Sequence, residues 1–396
     1  MKKVLLASTA LAGATALAGG AQAGTPSVGD NLSVTISGNL RVSYLIFEQE
    51  NFARAGRGRG YQFRADESEV KFAASNTADN GIRYGFEIEI QTQTDDTNNS
   101  DETWMFLDGG DSWGRIEMGD QDSAGDRIFI GGEDSMPGRG GYDGAVGDVF
   151  VFTNTAFSGP SFNTTGDATK IIYFTPRFSG FQLGASFTPD SGQLGGATIS
   201  DNDGNFERVF SVGANYSNTF GDVGLIVAGA GEFGKIECDS TASPGPGPTD
   251  GCDTDFYRAG GGAQVTYAGF SLAGGFVAQE DARIVTDATN GRGFESPGDD
   301  WWADVGLNYS TGPWKVGGGY FYSETENKNP AQTALGNNDE TEVQIFSIGG
   351  NYNVAPGFDI ATDVNFVEND KINKGQGGTG DKNDGTVFVL STIMSF

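Results

Sequence analysis

The sequence predicts an all-β fold, a 16-stranded antiparallel transmembrane β-barrel with one long loop inserted into its lumen. Three observations predict it. Segments with an apolar residue at every second position recur along the chain. The links between them alternate between short and long. One link, from about 120 to 167, far exceeds the rest and is rich in acid. A loop of that size inside an array of short strands needs a purpose.

The first 23 residues read as a secretory signal peptide. Lys2 and Lys3 form the charged start, Val4 to Ala18 the apolar stretch and Ala21-Gln22-Ala23 the cleavage site. Residues 24–396 are assigned to the barrel. Twenty-four basic against 53 acidic residues give a net charge of −29, which argues against nucleic acid as a partner. Beyond the signal, no apolar run approaches the roughly 20 residues of a membrane helix; Val223 to Gly231 comes nearest. The chain has no histidine, so the usual general base and commonest metal ligand are missing and no enzyme is expected. Its two cysteines, Cys238 and Cys252, share one Pro/Gly-rich loop, which in an exported protein reads as a loop disulfide. The 63 glycines lack the period of collagen, and 12% aromatic content does not fit disorder.

The first strand, Ser33 to Phe47, alternates most clearly. Val34, Ile36, Leu40, Val42, Tyr44 and Ile46 share one face; Ser33, Thr35, Ser37, Asn39, Arg41 and Ser43 share the other. A loop carrying Arg54, Arg57, Arg59 and Arg64 follows, then a strand near Glu69 to Ser75. In the next strand, 82–91, Ile82, Tyr84, Phe86, Ile88 and Ile90 alternate with Arg83, Glu87, Glu89 and Gln91. Thr103 to Leu107 and Gly114 to Gly119 make a hairpin, after which the long acidic segment begins. Strands are expected beyond it at 168–176, 181–187, 206–217, 223–233, 255–267, 270–279, 300–309, 314–323, 341–353, 358–367 and 385–396.

Every second link is short: TADNG, GGDSWG, RFSG, NTFGD, AG, STGP and APG. The others are polar and run from about 8 to about 50 residues. Short turns at one end and long loops at the other characterise an outer-membrane barrel, and a soluble sandwich has no reason to sort its loops so. The polar second face predicts a wet interior and an apolar exterior toward lipid. An Arg or Lys facing lipid at mid-membrane costs about 2–4 kcal/mol, and Arg41, Lys71 and Arg83 all fall on the polar face. Tyr216, Tyr267, Tyr309 and Tyr352 lie near strand ends beside short turns, where an interfacial aromatic belt is expected.

The hairpin Gly114-Arg-Ile-Glu-Met-Gly-Asp120, leading into a long acidic loop, resembles the fifth strand and constriction loop of trimeric Gram-negative general diffusion porins, closest to the alphaproteobacterial type. Ile171 to Phe181 is similar to the family's Y-x-x-P-x-F-x-G-F segment. The chain ends on Phe396 after alternating Phe388, Leu390, Thr392 and Met394, like the terminal strand read as the family's assembly signal. The longer constriction loop, without a PEFGG-like core, and the arginine-rich first loop depart from the family pattern.

The resemblance implies an outer-membrane homotrimer, in contact with lipid and lipopolysaccharide, that passes ions and small hydrophilic solutes by passive diffusion. It implies a constriction with a basic wall, Arg41, Lys71, Arg83 and Arg115, facing loop acids drawn from Asp120, Asp122, Asp126, Glu133, Asp134 and Asp143. Opposed charges across a gap near the Debye length of about 8 Å keep a transverse field that orients water. The acidic excess predicts a preference for cations.

Two other readings stay open. One is a substrate-specific channel of the same architecture. The other is a secreted, calcium-binding structural or adhesive β-protein. No cofactor is expected, although loops such as Asp201-Asn-Asp-Gly-Asn205 offer weak Ca²⁺ ligands without EF-hand spacing. The first-loop arginines read either as contacts for lipopolysaccharide phosphates or the pore mouth, or as a solvated loop. Gly229 to Gly234 matches G-x-G-x-x-G, but the Pro/Gly run after Cys238 cannot supply the helix that motif needs.

Overall fold

The computed structural model describes residues 32–50, 59–92, 100–138, 142, 145–150, 162, 164–193, 205–236, 254–280, 284–287, 292–295, 299–327, 338–374 and 382–396. The signal segment and both Cys238 and Cys252 lie outside them, as do Arg54, Arg57, Asp143 and Asp201 to Gly204.

The strands are β1 Ser33–Gln49, β2 Tyr61–Thr77, β3 Arg83–Gln91, β4 Ser100–Asp108, β5 Arg115–Asp120, β6 Thr169–Phe174, β7 Phe181–Asp190, β8 Phe206–Phe220 and β9 Val223–Ile236. They continue as β10 Thr254–Tyr267, β11 Phe270–Glu280, β12 Ile284–Asp287, β13 Arg292–Glu295, β14 Asp299–Thr311, β15 Trp314–Asn327, β16 Asn338–Ala355, β17 Phe358–Lys374 and β18 Lys382–Ser395. Sixteen of them close one antiparallel barrel in chain order, and β12 and β13 pair with each other outside it. Closure is between β1 and β18, in register from Asn39↔Ser395 to Gln49↔Gly385. The terminal residue completes that seam: Phe396 N–H donates to the Gly38 carbonyl at 3.1 Å, and Gly38 N–H to the Phe396 carbonyl at 3.2 Å. A closed barrel satisfies every wall N–H and C=O without an edge, the condition for crossing a bilayer with strands.

Strand count and sequence agree with the alternation, with two differences. β2 begins at Tyr61 and pairs with β1 from Ile46↔Tyr61 onward, so Arg64 belongs to a strand and not to the first loop. The charged run around it and a register shift between Asn39 and Arg41 hide the period. The β12–β13 hairpin has only four residues per strand, too short to leave a period in the sequence.

The outer face is apolar as the alternation requires: Leu40, Val42, Ile46, Phe210, Phe346 and Leu390 are all exposed on the isolated barrel. Near the short turns the aromatics pair across strands, Phe181 with Tyr216 at 4.7 Å, Phe270 with Tyr309 at 4.5 Å and Trp314 with Tyr352 at 4.4 Å between ring centroids. Such rings suit a bilayer interface.

The inner face differs from the uniformly wet lining that its polar residues predict. Leu45, Phe47, Val277, Trp302, Phe321, Val343, Ile345, Val367, Val387 and Val389 point inward and are buried. Phe129, Tyr142, Val146, Val149, Phe150 and Phe162 of the inserted loop pack on them, making a hydrophobic core inside the lumen. The physical reason is that a long loop needs an apolar surface to dock on. In Tyr44-Leu45-Ile46-Phe47 both faces are apolar, and an outward period masks the inward one.

Candidate functional site

The inserted loop is tied at its root. The Lys170 ammonium, at the start of β6, donates to the carbonyls of Gly166 at 2.8 Å and Ala168 at 2.7 Å and also to that of Gln121. Departure and return of the loop are thereby clamped to one side chain. A short helix, α1 (Ala124–Ile128), follows, capped by Ser123, whose hydroxyl accepts from Asp126 N–H at 3.3 Å.

From there the wall supplies polar side chains for the loop's backbone. Ser186 Oγ accepts from Ala124 N–H at 3.1 Å and Ser211 Oγ from Gly125 N–H at 3.0 Å. The buried Glu232 carboxylate on β9 accepts from Ser123 Oγ at 3.0 Å and from Thr164. A 3₁₀ turn, Gly132–Ser135, then lies over β11, β14 and β15. Asp304 receives the N–H groups of Gly275 at 2.8 Å and Glu133 at 3.2 Å, together with the Tyr142 hydroxyl at 3.2 Å. Asn308 Nδ2 donates to the Ser135 carbonyl at 2.7 Å. Further on, α2 (Ala145–Val149) reaches β18 and β1, where Gln49 Nε2 donates to the Val149 carbonyl at 3.0 Å.

Part of the chain's glycine content belongs to this docking. A Cβ on Gly262 would stand 1.9 Å from the Ile130 carbonyl oxygen, and one on Gly306 2.0 Å from that of Gly132. Only a bare backbone lets the loop lie so close to the wall.

The described part of the loop therefore coats the lumen from β6 round to β18 and leaves open the part in front of β1–β5. A cavity of about 820 Å³ remains there, bounded by those strands, by α1 and by the β6–β7 turn. Arg41, Lys71, Arg83 and Arg115 all line it. Among the loop acids, Asp122 lines it as well. The other described ones, Asp120, Asp126, Glu133 and Asp134, are placed elsewhere. Asp120 accepts from the Thr169 hydroxyl, Asp126 from Phe162 N–H at 3.0 Å and Asp134 from Gly131 N–H at 2.8 Å. Glu133 sits over β14, its N–H on Asp304.

The charges consequently follow a different plan from a basic wall opposed by an acidic loop. Carboxylates come from the wall itself, through Glu69, Glu87, Glu89, Glu102, Asp108 and Glu117, and the loop contributes a cation, Arg127. Glu117 is fully buried and held between Arg115 and Arg127. Arg127 also donates to Gln121 Oε1 at 3.1 Å. Burial opposes its charge, yet the adjacent Glu117 carboxylate outweighs that and raises Arg127 above the ordinary guanidinium value. Lys71 pairs with Glu89, and Arg115 lies over the Phe106 ring at 4.0 Å and the Trp104 ring at 5.5 Å.

Glu87 and Glu89 are legible in the sequence as polar-face positions of the strand at 82–91, but that alternation carries no sign of which carboxylates border the open cavity. Arg127 had one signal, its position as a rare base in an acidic loop. Three overlapping carboxylate groups, Glu69 with Glu89 and Asp101, Glu87 with Glu89 and Glu102, and Glu102 with Asp122 and Asp167, bring their oxygens within 4.8 Å of one another. That donor chemistry suits hard cations.

The family model for Gram-negative porins matches residues 7–372. Among curated relatives, uncharacterized proteins of Rickettsia bellii and Rickettsia conorii are 28% identical over 226 residues and 27% over 229. Each match spans 50% of this chain and 50% of the relative, so the chain covers about half the length of these proteins. Among solved structures, OmpT of Vibrio cholerae superposes with a TM-score of 0.59 at 12% identity, over 93% of this chain and 99% of that one. An anion-selective porin from Comamonas acidovorans gives 0.56 at 17%, over 92% and 100%. Identities this low establish the fold alone. With the family match over nearly the whole chain and the closed sixteen-stranded barrel, the conclusion is that this chain belongs to the Gram-negative porin family and is a multi-pass outer-membrane β-barrel.

Proposed function

We propose that this barrel is a passive-diffusion channel that passes ions and small hydrophilic solutes with a preference for cations. The observation that carries the reading is the lining of the open cavity: among the described residues, its walls hold eight carboxylates, Glu117 buried among them, against six cationic side chains. The chain as a whole is far more lopsided, at a net charge of −29. Rings of acidic side chains favour cations in a pore. The Comamonas porin named above is anion-selective on the same fold, so the sign of selectivity belongs to the lining and not to the barrel.

The channel works as a homotrimer with lipid and lipopolysaccharide around it. Strands β5 and β6 have six residues each, short of the roughly 9–11 that cross the hydrocarbon alone. A low wall of that kind suits contact with another protomer better than contact with lipid. OmpT of Vibrio cholerae has been solved in a trimer form, at a TM-score of 0.56 and 13% identity to this chain. Export through removal of residues 1–23 and a Cys238–Cys252 disulfide in a loop complete the reading.

The test is the zero-current potential of the purified protein in a planar bilayer under a KCl gradient. The expected sign is that of a potassium-permeable pore. A chloride-side potential overturns the cation preference.

A further inference from the structure

Charges lining the cavity are unevenly matched along its wall. Glu87 and Arg83 stand four residues apart on the same face of β3, so about 13 Å of strand separates them at roughly 3.3 Å per residue. Their neighbours are occupied: Glu89 by Lys71, and Glu117 by Arg115 and Arg127. Among the described residues, Glu87 has no cation in ion-pair contact, Lys71 and Arg115 acting on it only from farther away. Arg83 touches just the face of Phe106, at 5.3 Å.

Arg177, on the β6–β7 turn, rests on neutral acceptors only. It donates to the Gly180 carbonyl at 2.7 Å and to Asn215 Oδ1 and Gln182 Oε1 at 2.8 Å each. Opposing carboxylates at that end are Asp108, 3.9 Å from Arg115, and Asp111, on the exposed β4–β5 turn. Unmatched charge is thus negative toward the loop and positive toward the turns. The rings of Trp104, in register with Glu87, and of Phe106 lie along the same wall and carry its guanidinium groups, Arg115 over both and Arg83 over Phe106.

We propose that this cavity is a binding station for short peptides with free termini, the ammonium group held at Glu87 and the carboxylate at Arg83 and Arg177. This rests on the chain being a diffusion channel and names the solute class that the open part of its lumen accepts. An extended peptide spans at most about 3.3–3.6 Å per residue, so three or four residues, roughly 10–14 Å, bridge the two stations. The cavity, about 820 Å³, is of the size that holds small molecules. A solute of one sign meets one favourable end and one repulsive end, whereas a zwitterion in this orientation meets two favourable ends.

The experiment is swelling of proteoliposomes in triglycine, N-acetyltriglycine, triglycine amide and the neutral sugar arabinose, each rate divided by that of arabinose in the same vesicles. Triglycine should exceed both singly charged analogues. Glu87→Gln should lower the triglycine ratio roughly two- to five-fold, the size of one solvent-screened charge contact, and slow the amide more than the acetylated peptide. Arg83→Gln should lower it similarly with the opposite bias. Failure of arabinose itself to enter would count against the channel. Normal arabinose entry with equal ratios for all three peptides, or ratios that neither variant moves, overturns the peptide station.

Discussion

The inner faces of β14–β18 and of β2–β5 follow the same alternation and carry opposite chemistry. On the first, Trp302, Phe321, Val343 and Ile345 are sealed under the inserted loop, and Asp304 and Asn308 hold the loop's backbone. On the second, Lys71, Glu87, Glu89 and Arg115 line the cavity, Lys71 paired with Glu89 and Arg115 with Glu117. β1 belongs to both, with Leu45 and Phe47 in the core and Asn39 and Arg41 in the cavity. The difference teaches that narrowing a wide barrel is a packing problem before it is an electrostatic one. One half of the wall holds the loop in place, and the other half keeps its charges on the open part of the lumen.

The largest expected effect falls on the packed half. Trp302 is 1% exposed, edge-on to Phe129 of the loop at 5.6 Å and 6.2 Å from Phe321. Trp302→Ala should cost roughly 3–5 kcal/mol, as large-to-small changes in a closed core do. It should also raise single-channel conductance, because the loop loses its footing. Urea unfolding in detergent and bilayer recording read the two effects. A loss under about 1 kcal/mol, the level of a conservative core change, would mean that the loop does not depend on this core.

This contrast also marks how far the sequence could be read. Sixteen strands, their order and the outward faces were legible because lipid imposes a strict period on residues such as Leu40, Val42 and Ile46. The docking core was not, since Leu45 and Phe47 are apolar at positions where the period calls for polar ones, and no local rule says that a loop segment 100 residues along the chain reaches their strand. The basic wall residues could be grouped, for Arg41, Lys71, Arg83 and Arg115 share the inward phase of neighbouring strands. The loop acids could not be sorted. Whether Asp126 caps a backbone N–H or faces solute depends on how the loop folds, and among the described loop acids only Asp122 lines the cavity.

A middle-sized effect is expected where the two halves meet. Arg127 is the loop's cation at the open wall, bound to Glu117 and Gln121. Arg127→Gln should move the zero-current potential further toward cations, because the buried Glu117 carboxylate keeps only Arg115 as a charged partner. The stability cost should be about 1.5–3 kcal/mol, that of one hydrogen bond to a charged group. If the potential shifts toward anions, Arg127 is not part of the permeation path.

The smallest effect on stability should come from Lys71→Gln, and it sharpens the contrast most. Lys71 pairs with Glu89 on the open wall, where the ammonium keeps 17% exposure. Removing it should change stability by about 1 kcal/mol or less, as ion pairs near solvent do. It leaves the Glu89 carboxylate facing the cavity, so cation preference should rise. That rise should also be sensitive to salt, because the Debye length falls from about 10 Å at 0.1 M to about 3 Å at 1 M. Selectivity in 1 M KCl should therefore converge between the variant and the parent protein, while the unfolding loss of Trp302→Ala stays in place. The same salt series applied to both proteins separates charge displayed to water from a core closed to it. Convergence of both differences at high salt would show that the loop, too, is held mainly by charge, and the division between the two halves of the wall would no longer stand.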